Sequence, residues 1–450
     1  MKKLFAVILF FISFLSIGQT VNKFISSGGK ILTDASGKIL YTPHDANNFT
    51  YVQRGDWIPV NNVADNEIWI LATDEGDRYT SFTCTVANSG TYNVQLIGGS
   101  NGTTVLSTYG ATASGGKISM QIPSGTGKLC AEGYYTYKIR IYATSSSNAI
   151  LTFTVEKHAS TTTTINNWKI INFGTKGLTS LVCYLSNSYT TLVYANSYYC
   201  SSLTSVTYYH TTTLKEVILA KYMNKMVNFS NNIYSAFSGC SSLYKVTMPI
   251  QMNSLVNFGG TTTSSGFQNC TSLTNIELPA ILNSLLYFGS GNGINGLFSG
   301  CTNLVSVTGA TSMSSLNNMT TAYNNDFALT TIPSVTTYST NSIPFSSVVR
   351  NMVTFNQPTL RCSSFLLTGT SNTVRSQLTT INIDWANSLF SGSSPQIDIR
   401  WNALNASTID GIFTALPTVT DKTINVAGNP GAASCNTAIA TAKGWTVIIS

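Results

Sequence analysis

Charge is what this chain has least of. Its 450 residues include 24 Lys+Arg and 17 Asp+Glu, or 9%, against about 25% in ordinary soluble domains. Apolar residues still make up 43%, so the deficit does not mark a disordered chain, which lacks the material for a core. Ser, Thr, Asn and Gly fill the polar positions instead. Histidine is as scarce: His44, His158 and His210 lie far apart, which leaves little for a histidine metal centre or catalytic relay. A formal net charge of +7 without any Lys/Arg run beyond two does not supply the clustered cations that displace phosphate counterions, so nucleic acid is not an expected partner.

Long apolar runs are also rare. The one that exists, Leu4 to Leu15, follows Lys2 and Lys3 and ends in the small residues Ser16, Ile17 and Gly18. Those are the three regions of a secretory signal peptide. The run is shorter than the roughly 20 residues a bilayer span needs, so residues 1–18 are read as a cleavable signal. No later segment is long enough to cross a membrane, and the mature chain is expected to be secreted or held at the cell surface. Nine cysteines then enter an oxidising space as an odd number, without a CxxC pair that would suggest zinc.

Past a Gly/Ser-rich lead-in at 19–40, residues 41–157 read as short strands with period-two alternation. Phe82, Cys84 and Val86 share one face, as do Tyr92, Val94 and Leu96, Ile118, Met120 and Ile122, Ile139 and Ile141, and Leu151, Phe153 and Val155. Turn formers separate them, the pattern of an antiparallel β-sandwich of about seven strands. Cys84 and Cys130, the two cysteines of this region, are a candidate disulfide. The segment 158–177, with its run Ser160 to Thr164, reads as a linker.

From 178 to 450 the pattern is a repeat. Asn224, Asn253 and Asn283 are spaced 29 and 30 apart, and Phe229, Phe258 and Phe288 likewise. Phe237, Phe267 and Phe298 each stand three residues before Cys240, Cys270 and Cys301, which stand three before Leu243, Leu273 and Leu304. A unit with one apolar side cannot bury it alone, so fixed-period similarity predicts a solenoid whose neighbours stack about 4.8 Å apart. Looser versions precede these units at CSSLTSV and TTLKEVIL and follow them at FALTTIP and LTTINIDW. QIDIRWN and TINVAGN place Asn402 and Asn429 at matched strand ends, where an amide can serve the backbone of adjacent turns. NASTIDGIFTALP reads as a short helix capped by Ser407 or Asn405, and CNTAIATAKG as a second.

The strings FSGCSSLYKVTMP and FQNCTSLTNIELP resemble the BspA-type leucine-rich repeat of bacterial surface proteins, specifically over about 200–310 and more weakly over 311–450. The resemblance implies a secreted or surface-displayed binding module with no chemistry of its own. It also implies that the GNPG…KGWTVI ending is a closing cap. Here the units carry Gly/Thr/Ser/Asn insertions beyond the family's usual length, and Gly309 replaces the strand-ending pair.

Candidate sites follow from residue type. Asp74, Glu75 and Asp77 are the densest acidic group, but lack calcium-loop spacing and fit a solvated turn. Beside Glu132, Tyr134 and Tyr135 offer rings for stacking a sugar, or serve as cross-strand partners. If Ile381, Ile383, Ile397 and Ile399 face inward, then Asn382, Asp384, Asp398, Arg400 and Asn425 project together from one open sheet face. Two carboxylates with an arginine there are either a surface salt-bridge set or the acid/base pair of a glycosidase. No triad order, phosphate loop or metal motif appears, and no cofactor is expected. The leading expectation is a non-enzymatic binding protein holding a glycan or protein ligand with little salt dependence. A phage tail-fibre-type adhesin and a polysaccharide-active enzyme with an accessory carbohydrate module are the rivals.

Overall fold

A computed structural model describes residues 54–450 apart from 77, 186–187, 230–235, 259–265, 289–295, 372–373 and 392, together with the strands at 24–25 and 31–32. The signal peptide, most of the lead-in and the first residues assigned to the sandwich lie outside the described residues. The chain forms two compact units, residues 1–52 and 53–450. In the first, Phe24–Ile25 and Ile31–Leu32 pair antiparallel, with Phe24 opposite Leu32.

The second unit is mainly β and holds a β-solenoid of about 11 turns. Its N-terminal part is antiparallel. In the larger sheet, Thr104–Ala113, Thr91–Gly98, Tyr135–Ala143 and Glu67–Thr73 lie side by side. In the smaller, Lys117–Gln121, Tyr79–Val86 and Ile150–Val155 do so. The alternation expected here is buried in register: Phe82, Cys84, Tyr92, Val94, Ile139, Ile141 and Phe153 are all enclosed. A register shift between Ile150 and Thr152 puts Ile150, rather than Leu151, in the core alongside Phe153 and Val155. Phe153 of the smaller sheet touches Trp168 and Phe173 of the larger, with ring centroids 5.9 and 5.7 Å apart, so both sheets share one core.

The segment 158–177, expected as a linker, is structural. Its strand Trp168–Phe173 pairs antiparallel with Glu67–Thr73 on one side and parallel with Tyr194–Asn196 on the other. Its two buried rings, Trp168 and Phe173, pack against Phe153 and hold it there, and the polar appearance of the preceding Ser/Thr run hid them. Beyond it the larger sheet continues in parallel through Glu216–Ile218 and Lys245–Thr247. The smaller continues from Ile150–Val155 through Ser180–Val182 and Ser205–Thr207. Both sheets therefore change from antiparallel to parallel without interruption.

The repeat motif makes two successive turns at a corner of each coil. Cys240, Cys270 and Cys301 donate their backbone N–H to the carbonyls of Phe237, Phe267 and Phe298, and Leu243, Leu273 and Leu304 donate to those of the cysteines. The three phenylalanines stack nearly parallel, Phe237 on Phe267 at 5.2 Å and Phe267 on Phe298 at 5.5 Å. Each cysteine thiol donates to the aromatic residue's carbonyl one turn back: Cys240 to Tyr208 at 3.1 Å, Cys270 to Phe237 at 3.1 Å and Cys301 to Phe267 at 3.0 Å. Burial raises the pKa of all three thiols, that of Cys240 to about 12, which keeps them protonated and able to donate. Each buried Phe or Leu of this ladder contributes about 1.5–3 kcal/mol.

The C-terminal part is a six-stranded parallel sheet running from Met319–Thr320 through Ile343–Val348, Cys362–Thr368, Ile397–Asp398 and Lys422–Asn425 to Trp445–Ile448. Asn405 caps the helix Ala406–Ala415, its side chain accepting from Thr408 N–H at 2.8 Å. Asn402 Nδ2 donates to the carbonyls of Leu367 and Ile399, each at 2.8 Å, and Asn429 Nδ2 to those of Ile399 and Val426. Both amides are buried and stitch one turn to the next. Among the described residues no helix is long and apolar enough to cross a membrane.

Candidate functional site

The five residues expected on one sheet face do not share one: three lie on strands of two sheets, and Asp384 and Arg400 follow strand ends. Asn382 lies on Thr380–Ile383, which pairs only with Thr354–Gln357 among the described strands, whereas Asp398 and Asn425 belong to the six-stranded sheet. Nor do the latter two project outward: Asp398 is 2% exposed and Asn425 8%. Both strands end immediately in side-chain-closed turns, Asp398 Oδ1 accepting from Arg400 N–H at 3.3 Å and Asn425 Oδ1 from Ala427 N–H at 3.0 Å. An Asx turn of this kind folds the side chain back on its own backbone. Arg400 Nε lies 3.0 Å from Asp398 Oδ2, and its guanidinium sits 4.4 Å from the Trp401 ring centre. Burial, only partly offset by Arg400, raises the Asp398 pKa. Its partner is at hand, so this is an internal ion pair.

Asn382 and Asp384 are placed differently. Asn382 is exposed and donates to Asn356 Oδ1 at 2.8 Å, forming an amide ladder along the face. Asp384 receives Arg361 Nε at 2.9 Å and Asn387 Nδ2 at 2.9 Å. Arg361 and Asp384 border an open groove of about 240 Å³, lined also by Thr336, Thr337, Tyr338, Ser339, Thr340, Pro358 and Thr359. Six of the nine carry hydroxyls. The groove continues a column of threonines: Thr311 Oγ1 donates to the Ala280 carbonyl at 3.1 Å, Thr336 to Thr311 at 3.2 Å and Thr359 to Thr336 at 3.2 Å. A carbonyl has two lone pairs, and at Ala280 and Thr311 the next threonine's backbone N–H takes the second. Each hydroxyl oxygen keeps lone pairs for an outside donor. Sequence reasoning missed Arg361 and these threonines; the signal was the recurrence of Thr at Thr311, Thr336 and Thr359, spaced 25 and 23 residues apart.

The N-terminal candidates form a second cluster. Arg54 contacts Asp56 through Nε at 3.1 Å and Nη2 at 2.9 Å, and it also pairs with Glu132. Asp56, Cys130 and Glu132 bring potential ligand atoms within 4.8 Å of one another, yet the Arg54 guanidinium already stands against both carboxylates as their cation. Tyr134 is half-buried beneath Lys169, whose Nζ is 5.6 Å from the ring centre. Burial and the adjacent Cys130 raise its pKa. Tyr135 packs on the core, and its N–H donates to Asp74 Oδ1 at 2.8 Å. Tyr134 and Tyr135 thus do not form an open pair of rings for a sugar. Asp74 also accepts from Gly125 N–H at 3.2 Å, and Glu75 pairs with Lys169 at 2.7 Å. The acidic trio is thus a loop clasp in the two members described; Asp77 lies outside the described residues.

Cys84 and Cys130 are both free and buried. Cys84 points into the core beside Tyr92, whereas Cys130 sits in the turn with Arg54 and Tyr134; their surroundings differ, and the disulfide expected between them is absent. On the outer face of the larger sheet, Glu67 accepts from Arg140 Nε at 2.8 Å and from Trp69 Nε1, while Lys138 lies 4.4 Å from the Trp69 ring centre. Asp384 and Asp398 each have their own arginine, Arg361 and Arg400, so the carboxylate pair expected of a glycosidase is not assembled from them. No protein family, no curated protein and no solved structure matches this chain.

Proposed function

We propose that this chain is an exported bacterial binding protein, secreted or held at the cell surface, which recognises a neutral glycan or a polar protein segment without catalysing a reaction on it. The hydroxyl-lined groove beside Arg361 and Asp384, at the end of the threonine column, is the observation that carries this reading. Its walls offer lone pairs and hydroxyls in rows one coil apart, suited to a ligand with repeated hydroxyl or amide groups, and one ion pair fixes the groove's end. The repeats are read as BspA-type leucine-rich units, and the antiparallel region before them as a sandwich-type module. Since the recognition groups are uncharged, binding is expected to survive salt well beyond physiological strength. A glycan and protein array probed with the mature chain in 0.05 and 0.5 M NaCl tests this. Retained binding that Thr336→Val and Thr359→Val weaken is the expected result. The absence of a ligand, or binding that collapses at the higher salt, overturns it.

A further inference from the structure

Five successive coils share the corner that carries the phenylalanine ladder, although only three read Phe-x-x-Cys-x-x-Leu. Before them stands Tyr208-x-x-Thr211-x-x-Leu214 and after them Tyr323-x-x-Asp326-x-x-Leu329. The end rings continue the stack, Tyr208 on Phe237 at 5.4 Å and 9°, Phe298 on Tyr323 at 6.1 Å and 9°. The turn bonds also recur: Asp326 N–H donates to the Tyr323 carbonyl and Leu329 N–H to the Asp326 carbonyl at 3.1 Å, as the cysteine and leucine of each regular unit do. Asp326 therefore occupies the cysteine position of a further turn.

A carboxyl group is an unusual occupant there. Asp326 is 0% exposed. Its Oδ1 accepts the Cys301 N–H at 3.0 Å, and its Oδ2 has no hydrogen-bond partner among the described residues. The titratable groups facing it are the Cys301 thiol from the preceding coil and the Tyr323 phenol of its own turn, with Tyr338 beyond Tyr323. The nearest cation along the next coil, Arg350, lies over the Phe327 ring at 4.3 Å, and no ion pair among the described residues includes Asp326. An isolated carboxylate in so dry a place is costly enough that the group takes up a proton instead.

We propose that Asp326 is held as a neutral carboxylic acid in the cysteine position of this cryptic turn, making the junction between the regular array and the C-terminal coils an acid-closed, alkali-loosened point. Burial pushes its carboxyl well above the ordinary range. A folded-state value above the unfolded one, about 3.9, means that the stabilisation is fully present below that unfolded value. It is lost as pH rises toward and through the folded value. Once ionised, the side chain gains water only by opening the corner, which separates Tyr323 from Phe298. The solenoid is then tightest in acidic surroundings.

Thermal unfolding of the wild type, Asp326→Asn and Asp326→Cys between pH 4 and 9 tests this. Asn keeps the shape without a titrating proton, and Cys restores the repeat. The wild type is expected to lose several degrees relative to both variants as pH rises, with the Cys variant the most stable of the three at pH 8. Parallel curves for wild type and Asn variant overturn the proposal. In case neither variant folds, the wild type suffices: a carboxyl carbon resonance of Asp326 in its ionised position at pH 6 overturns the proposal, and one in its protonated position supports it.

Discussion

Two parts of one hydrophobic core are built from different polar materials. Between Arg54 and Lys169 the described residues form four ion pairs, with cations seated on Trp57, Trp69, Tyr134 and Tyr142. Between Lys225 and Asp326 the only charged residues are Lys245 and Glu277. Strand direction accounts for the contrast. Antiparallel strands bring unlike residues opposite one another, so Glu67 can meet Arg140 and opposite charges pair. A parallel coil places each motif position on its own copy about 4.8 Å away. A charge written into the motif would face itself at that spacing, a repulsion of about 1 kcal/mol in water and about 4 nearer the protein interior. Phe, Cys, Thr and Asn stack on themselves without that penalty, and Thr and Asn also bond to their own kind's backbone. Repetition in parallel thus favours uncharged polar residues at motif positions, and the Glu216–Lys245 pair of neighbouring coils joins unlike charges outside them.

Three experiments test that contrast, in descending order of effect. Phe267→Ala removes the middle ring between Phe237 and Phe298 and should cost about 3–5 kcal/mol in urea unfolding; a loss under about 1 kcal/mol would mean that the ladder is not what holds the array. Glu67→Gln removes the charge that Arg140 and Trp69 share in the antiparallel part, with an expected cost of about 1–3 kcal/mol at pH 7. Burial alone would raise the Glu67 pKa, but bonds from Arg140 and Trp69 outweigh it and lower it. Its stabilisation is therefore present above the unfolded value, about 4.3, and fades as pH falls through the depressed folded value. Wild type and variant should converge in strong acid, as followed by stability measurements down to pH 2. The smallest effect belongs to the exposed column. Thr311→Glu with Thr336→Glu should lose about 0.5–1 kcal/mol more than the two single changes together, and Thr311→Lys with Thr336→Glu should regain it. Additivity in this double-mutant cycle would refute the account of self-facing charges.

Much of this arrangement was legible in the residues. Period-two alternation marked most buried positions of the antiparallel strands, and the Phe, Cys and Leu spacing located the array. What escaped did so for identifiable reasons. Tyr323 and Asp326 preserve the geometry of the repeat while changing both of its signature letters, so only Leu329 and Ile332 of that turn could be matched. The strand Trp168–Phe173 was masked by the Ser/Thr run before it. The outward placing of Asp398 and Asn425 assumed strands long enough to alternate, whereas each strand ends at the residue in question and its side chain closes the turn. The groove at Thr336 to Asp384 combines residues of three coils, and no single stretch of sequence contains it.

The change of direction within both sheets has a consequence of another kind. A parallel stack presents, at its first strand, a row of unpaired N–H and C=O groups on which another chain can add, and proteins guard such edges against aggregation. Here the first parallel strands of both sheets are already paired, Trp168–Phe173 with Glu67–Thr73 and Ser180–Val182 with Ile150–Val155. The outermost strand of the larger sheet, Thr104–Ala113, pairs with Thr91–Gly98 through two register shifts, a break in the ladder that makes it a poor template. The antiparallel region thus covers both edges at which the parallel coils begin, and in the larger sheet it ends the stack on an irregular strand.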